Sequence, residues 1–134
     1  MRVRIVRDSF KGCPSYAKLD ADSDQTVVHL TVGSELYVQA IFVFSRITIF
    51  FVIDNFNRFT GKPAWLFEIT DWTMPDDWII SAFNYDPSIV IGPRIIAENI
   101  DAYNRFAEQE PDMENAMHDH IPKWGGSRRR RSDD

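Results

Sequence analysis

The longest apolar pattern of the chain covers residues 35–53, which are rich in β-branched and aromatic side chains. Such a composition favours strands over helices. The polar pair Ser45–Arg46 offers a reversal, so the pattern predicts an antiparallel hairpin with strands at 35–44 and 47–53, ended by a polar turn at 54–61. Both faces of this hairpin are apolar. We therefore expect other elements to cover it on both sides, or the sheet to curl on itself.

A membrane span is the competing interpretation of the same residues, because Leu36 to Ile53 is 18 residues long. Arg46 lies near the centre of that stretch, and a central arginine costs about 2.5–3.5 kcal/mol on insertion scales. Residues 1–10 interleave charges with Val and Ile, unlike the apolar core of a signal peptide. The sequence therefore predicts no membrane association and a cytoplasmic location.

Shorter apolar patterns predict the remaining strands. Residues 2–7 alternate basic and apolar side chains, which is typical of a strand with one wet face, and a long polar loop follows them. Segments 64–69 and 78–83 are predicted as further strands, joined by a turn around 71–77. The hairpin and these segments together predict a small, curled antiparallel sheet of about five strands, an SH3-like partial barrel.

The C-terminal third carries the helical signals. Apolar residues at spacings of four, three and four predict an amphipathic helix over about 94–109. Pro111 ends it, and Asp112 is a suitable N-cap for a second, shorter helix through about His120. The chain is thus predicted to be one α+β domain over 1–124, with one or two C-terminal helices and a disordered Gly/Ser/Arg tail at 125–134.

Acidic side chains outnumber basic ones in this chain, whose formal net charge is −5. Residues 1–127 alone carry −7, because Arg128–Arg131 contribute four positive charges. A surface of that sign repels phosphate backbones and favours basic partners, so nucleic acid is not the expected ligand of the folded part. The acidity is concentrated in segments 54–86 and 94–121, net −4 and −5. They are either solvated faces or an electrostatic platform for a basic protein.

Candidate contact residues lie in these two acidic segments. Trp72, between Asp71 and Thr73, is the aromatic side chain that we expect to be partly exposed and to act as a contact hot spot. The predicted partner-binding residues are Asp71, Trp72, Asp76, Asp77, Glu98, Asp101 and Glu108. The adjacent Asp76 and Asp77 are better explained as solvated turn residues than as an acid/base pair.

Catalytic and metal-binding patterns are missing from the sequence, which has no G-x-S-x-G elbow, P-loop, G-x-G-x-x-G or paired C-x-x-C. His29 is expected to pack in an apolar strand, and His118 and His120 would point to different faces of a helix. Cys13 is the only cysteine, which excludes an internal disulfide. We therefore predict no enzyme activity, metal or cofactor. Two alternatives stay open: a small enzyme with its site on the curled sheet, and a nucleic-acid-binding barrel that uses the arginine tail.

A pattern in the middle of the chain resembles small bacterial immunity proteins. It comprises L-x-V-G at Leu30–Gly33, Tyr37, Ile53–Asp54, Pro63, Leu66–Ile69 and Asp77–Ile79. The resemblance implies a small bent antiparallel sheet with an appended helix. It also implies a cytoplasmic protein that binds and blocks a cognate toxin of a contact-dependent or polymorphic toxin system. The acidic body predicts that this toxin is basic.

Overall fold

The computed structural model describes residues 1–108 and 115–117, which form an α+β fold, as predicted. The strands are β1 (Arg2–Ile5), β2 (Glu35–Tyr37), β3 (Ala40–Val43), β4 (Thr48–Ile53), β5 (Phe59–Pro63), β6 (Phe67–Asp71), β7 (Trp78–Ala82) and β8 (Ile89–Pro93). The α-helices are α1 (Arg94–Ala97) and α2 (Ile100–Ala107), and single 3-10 turns lie at Ser15–Ala17 and Ala64–Leu66. Residues 115–117 are also helical.

The strands form two antiparallel sheets rather than the single sheet of about five strands that the sequence predicted. The three-stranded sheet has the order β2-β1-β6, and the five-stranded sheet has the order β5-β4-β3-β8-β7. Neither order closes on itself among the described residues. The chain passes from one sheet to the other at Val38 and Gln39. The Val38 N–H donates to the Met1 carbonyl (3.0 Å), whereas the Gln39 N–H donates to the Phe51 carbonyl (2.7 Å).

The five-stranded sheet is covered on both faces, as the two-sided apolar hairpin predicted. Alternate side chains, such as Ile41 and Phe50, pack against the three-stranded sheet. The intervening side chains pack against the helices, where the Phe42 and Tyr103 rings meet edge to face at 4.9 Å. The molecule therefore has three layers and two hydrophobic cores, with the sheet that contains β3 and β4 in the middle.

The predicted hairpin strands need correction at the first strand. The reversal at Ser45–Arg46 is confirmed, since β3 pairs with β4 from Ala40↔Phe51 to Val43↔Thr48. The strand expected over 35–44 is divided, however, because β2 pairs with β1 in the other sheet. The apolar run of residues 36–44 continues across the crossing at 38–39, where the buried Gln39 is its one polar residue.

Two further strand predictions were wrong in position. The turn expected at 54–61 ends early, and β5 begins at Phe59. The strand expected at 64–69 starts as a 3-10 turn and becomes extended only at Phe67. The predicted strand at 78–83 is confirmed as β7.

The strands predicted from the sequence do not include β8, which contains the two strand-breaking residue types Gly92 and Pro93. Pro93 is the last residue of the strand, where a missing N–H costs little. Gly92 faces Ala40 of β3, and a Cβ at Gly92 would lie 3.0 Å from the Ala40 Cβ. The glycine thus permits a close approach between strands rather than a turn.

The continuous helix predicted over 94–109 is interrupted. Asn99 is extended at φ −156°, and its side-chain oxygen accepts a hydrogen bond from the Ala102 N–H at 2.9 Å, so α2 begins with a new N-cap. The second helix predicted through about His120 falls largely outside the described residues, as does the tail at 125–134. None of the helices in the described part of the chain has the length and apolarity to cross a membrane.

Candidate partner-binding surface

Trp72 is an exposed tryptophan, with 72% of its surface accessible. It directly follows β6, where the Thr73 N–H donates to Asp71 Oδ1 at 2.9 Å and bends the chain away from the three-stranded sheet. The expected exposure of Trp72 is confirmed. A large aromatic side chain in water is a typical contact residue of protein interfaces, because its burial by a partner removes much apolar area from solvent.

Asp71 differs from the other predicted contact residues because it already has partners within the fold. Its carboxylate lies 3.6 Å from the Arg2 guanidinium. Hydrogen bonds from Thr73, together with the nearby Arg2 charge, lower the pKa of Asp71 below its ordinary value. The Asp71 carboxylate therefore stabilises the end of β6. Because Arg2 and Thr73 already engage it, it is less available to a partner.

The ion pair of Asp71 belongs to a network on the outer face of the three-stranded sheet. Arg2 also pairs with Glu35 at 3.7 Å, and Arg4 pairs with Glu35 at 3.5 Å and with Glu68 at 3.1 Å. These side chains alternate with Val3 and Ile5, which point into the core. Two guanidinium groups face three carboxylates, so this network has a net charge of only −1 and offers a partner little net field.

Asp76 and Asp77 are exposed and lie beside the beginning of α1. They line a shallow depression of about 240 Å³ together with Trp78, Ile79, Arg94 and Ile95. Asp77 and Arg94 are 17 residues apart in the sequence, but the pairing of β7 with β8 brings them close together. The structure therefore joins the turn at 71–77 to the helical region at one edge of the molecule.

The three acidic residues of the helical region do not form one patch. Glu98 follows α1 directly, and Asp101 lies in the first turn of α2, where the helix dipole favours a negative charge. Glu108 lies at the opposite end of α2, about 10 Å further along the helix axis at 1.5 Å per residue. Glu98 and Asp101 are thus close to the β7 side, because the Ser81 hydroxyl of β7 donates to the carbonyl of Ala97.

Ile80 is a candidate contact residue that the sequence did not reveal. It is 71% exposed, although it lies in a strand and pairs with the half-buried Ile91 of β8. Its side chain points to the same face as Ile91, toward the three-stranded sheet. The core between the two sheets still reaches β7 at Trp78, which packs against it, whereas Ile80 is left accessible to solvent. No local pattern could have shown this, because the exposure depends on how far that core extends along β7.

A second depression, at the tip of the β3–β4 hairpin, bears on the enzyme alternative. It is a cleft of about 350 Å³ that includes Tyr16 and Arg46, next to Ser45, whose N–H and hydroxyl donate to the Asp86 carboxylate at 3.0 and 2.9 Å. None of its described lining residues is a histidine. The nearby Asp86 carboxylate is held by these hydrogen bonds, and none of the described lining residues of the cleft is a carboxylate that could act as a general base.

His29 packs against a neighbouring side chain, but it lies in an irregular segment and not in a strand as expected. It adopts a positive φ of 61°, and its ring packs edge to face against Phe56 at 4.8 Å between ring centroids. Within residues 1–108 and 115–117, no three His, Cys, Asp or Glu side chains are grouped closely enough to hold a metal ion. His118 and His120 lie outside the described residues.

The chain was compared with models of protein families, with curated proteins and with solved structures, and none of the three comparisons found a match. The resemblance to immunity proteins therefore rests on the pattern of residues in the sequence.

Proposed function

We propose that this protein is a non-enzymatic binding module that captures a basic partner protein through the edge surface, which we define as five exposed residues of segment 72–80: Trp72, Met74, Asp76, Asp77 and Ile80. The exposed Trp72 is the observation that carries this proposal. Residues 63–93, which contain the whole surface, have five acidic side chains and no basic one. An apolar anchor within a negative field suits a partner whose interface is apolar at its centre and basic at its rim.

The partner in this proposal is a cognate toxin, and the chain is a cytoplasmic bacterial immunity protein that blocks the toxin stoichiometrically. The support is the residue pattern from Leu30 to Ile79 that resembles such proteins, together with the negative charge. Inhibition would come from occlusion of the toxin's active site, with no chemistry by this chain. We also propose that the two open sheets are related to the SH3-like partial barrel that the sequence predicts.

The two alternative functions have weaker support. An enzyme would need convergent acid, base or nucleophile groups, whereas the described lining of the hairpin-tip cleft includes Ser45 but neither a carboxylate nor a histidine. A nucleic-acid-binding barrel would need a basic surface, whereas the exposed edge at 63–93 is acidic. Neither alternative has an observation that favours it over protein binding.

Co-expression with the protein encoded by the adjacent gene tests the proposal. We expect the pair to co-purify and the chain to rescue growth if the neighbour is toxic. Trp72→Ala should weaken binding by about 2 kcal/mol, roughly thirtyfold in Kd. Tyr16→Ala is the matched control, because Tyr16 is equally exposed but lies at the hairpin-tip cleft.

The charge component is tested separately with the D76N/D77N double variant. Because Asp76 and Asp77 are exposed, their charges should act mainly on the association rate at low salt, and the effect should fade at high salt. The proposal is wrong if the neighbour neither binds nor is neutralised, or if Trp72→Ala binds as tightly as the unchanged protein.

A further inference from the structure

The outer edge of β7 exposes backbone hydrogen-bonding groups. In the ladder between β3 and β4, the Phe44 N–H donates to the Ile47 carbonyl, and on β7 the Phe83 N–H donates to the Ser88 carbonyl. Backbone groups of successive residues in a strand point to opposite sides. Counting residues from either of these two hydrogen bonds across the paired strands gives the same orientation for the backbone groups of β7. The N–H and C=O groups of Ile80 and Ala82 point away from β8, and no other strand of the described residues faces them.

The side chains on this edge are also apolar and accessible. Ile80 and Ala82 are both exposed, on the face of the five-stranded sheet that packs against the core between the two sheets at Trp78. An added strand would thus gain backbone hydrogen bonds and a neighbouring apolar side chain at every second position. Those are the two requirements for recognition by strand addition.

The other edges of the two sheets are protected against strand addition. The outward row of β5 includes Pro63, which has no N–H, and β5 also carries Lys62. β2 is only three residues long. On β6, the Phe67 N–H already donates to the Ala64 carbonyl, and Glu68 places a charged side chain in the strand. β7 has neither a proline nor a charged side chain, so it is the edge most open to a new strand.

We propose that β7 is the docking strand for an extended, basic segment of the partner protein, which adds a sixth strand to the five-stranded sheet. The idea rests on the proposed protein-binding function and gives it a structural mode. Asp76 and Asp77 lie just before β7, and the nearest basic residues in the sequence are Lys62 and Arg94. A strand that carries Lys or Arg beside its apolar positions would find complementary charge there.

A second copy of this chain is a poorer occupant of the same edge. If Ile80 of one copy exchanged hydrogen bonds with Ala82 of another, the antiparallel register would place Asp76 opposite Asp86 of the second copy. Like charges directly opposite each other destabilise strand pairing. No basic residue between 63 and 93 offsets this repulsion.

Backbone amide hydrogen exchange of the full chain tests the proposal, with a short synthetic peptide as the probe. The peptide alternates valine with threonine and carries lysines at both ends. We expect it to slow exchange at the Ile80 and Ala82 amides while leaving Ser81 unchanged, because the Ser81 amide already faces β8. Matched peptides with glutamates at the ends, or with a central proline, should bind about tenfold more weakly or less.

Variants of the chain make the test specific to β7. Ile80→Lys should abolish the protection by the lysine peptide, and Val27→Lys, a matched change at another exposed apolar residue, should not. The proposal is overturned if saturating lysine peptide leaves Ile80 and Ala82 unprotected, or if the glutamate peptide protects them equally. A dimer in sedimentation that Ile80→Lys dissolves would also overturn it, because the occupant would then be a second copy.

The same variants separate this inference from the proposed function. If the neighbouring gene product binds through Trp72 but Ile80→Lys leaves that complex unchanged, strand addition is wrong and the binding function stands. If the lysine peptide protects β7 while the neighbouring protein fails to bind, the docking strand stands and the toxin partner is wrong.

Discussion

The β3–β4 hairpin and the segment at 71–82 are both rich in large apolar side chains, but they use them differently. The hairpin lies in the central layer and packs Phe42 on one side and Phe50 on the other. The segment at 71–82 lies at the edge of the molecule and exposes Trp72 and Ile80. Apolar content alone therefore does not separate a scaffold from a contact surface. The number of covering layers does, because it decides which faces of a strand reach water.

The largest expected difference between the two regions is in stability. Phe42 is 2% exposed and contacts the Phe51 and Tyr103 rings at 4.9 Å each, so Phe42→Ala should lower the free energy of unfolding by about 3–5 kcal/mol. Trp72→Ala should change it by less than about 0.5 kcal/mol. Urea unfolding followed by circular dichroism measures both. Similar losses for the two variants would show that Trp72 belongs to the core and would remove the distinction.

A second variant tests how tightly the central layer is joined to the edge. Gly92 lies on β8, between the hairpin and β7, and the Cβ of Gly92→Ala would approach the Ala40 Cβ to 3.0 Å. We expect a loss of about 1–3 kcal/mol, because neither atom can rotate away. The double variant A40G/G92A should lose less than the sum of the single changes. Strict additivity in urea unfolding would contradict the proposed close contact.

Local patterns predicted the features that depend on a few neighbouring residues. The reversal at Ser45–Arg46 and the exposure of Trp72 follow from local composition, and both were predicted. The crossing at 38–39 was missed because the apolar run of residues 36–44 continues across it, with Gln39 as its one polar residue. The break at Asn99 was missed because the apolar spacing continues across it, whereas the cap depends on a side-chain hydrogen bond. Similarly, the exposure of Ile80 depends on how far the core between the two sheets extends along β7, which no segment of sequence encodes.

The N-cap of α2 provides a smaller test within the edge region. The Asn99 side chain accepts the Ala102 N–H at 2.9 Å, so Asn99→Ala should cost about 1 kcal/mol in the free energy of unfolding. Asn99→Asp is the control and should keep most of the stability, since Asp caps helices as well as Asn. Thermal unfolding measures both variants. Equal losses for Ala and Asp would mean that the cap does not set the start of α2, and that the helix was continuous as the sequence first predicted.

The smallest expected difference is between Asp71 and Asp76, two acidic residues of the same segment. Thr73 and Arg2 lower the pKa of Asp71 in the folded protein, so folding favours the carboxylate. This contribution is present above the pKa of the unfolded chain and is lost as the pH falls through the folded value. Asp71→Asn should therefore lower stability modestly at neutral pH, with a difference that shrinks below about pH 4, the ordinary carboxyl range.

Asp76→Asn is the matched control for Asp71→Asn. Asp76 is exposed and, unlike Asp71, makes no hydrogen bond or ion pair with the residues that the structure describes. Its stability in urea should follow that of the unchanged protein at both pH values, while its binding should lose the steering contribution expected of the edge surface. Two acids five positions apart would then have separate tasks, one in holding the fold and one in meeting the partner. A pH-dependent loss of equal size in both variants would show instead that the whole segment is structural, and the contrast with the hairpin would disappear.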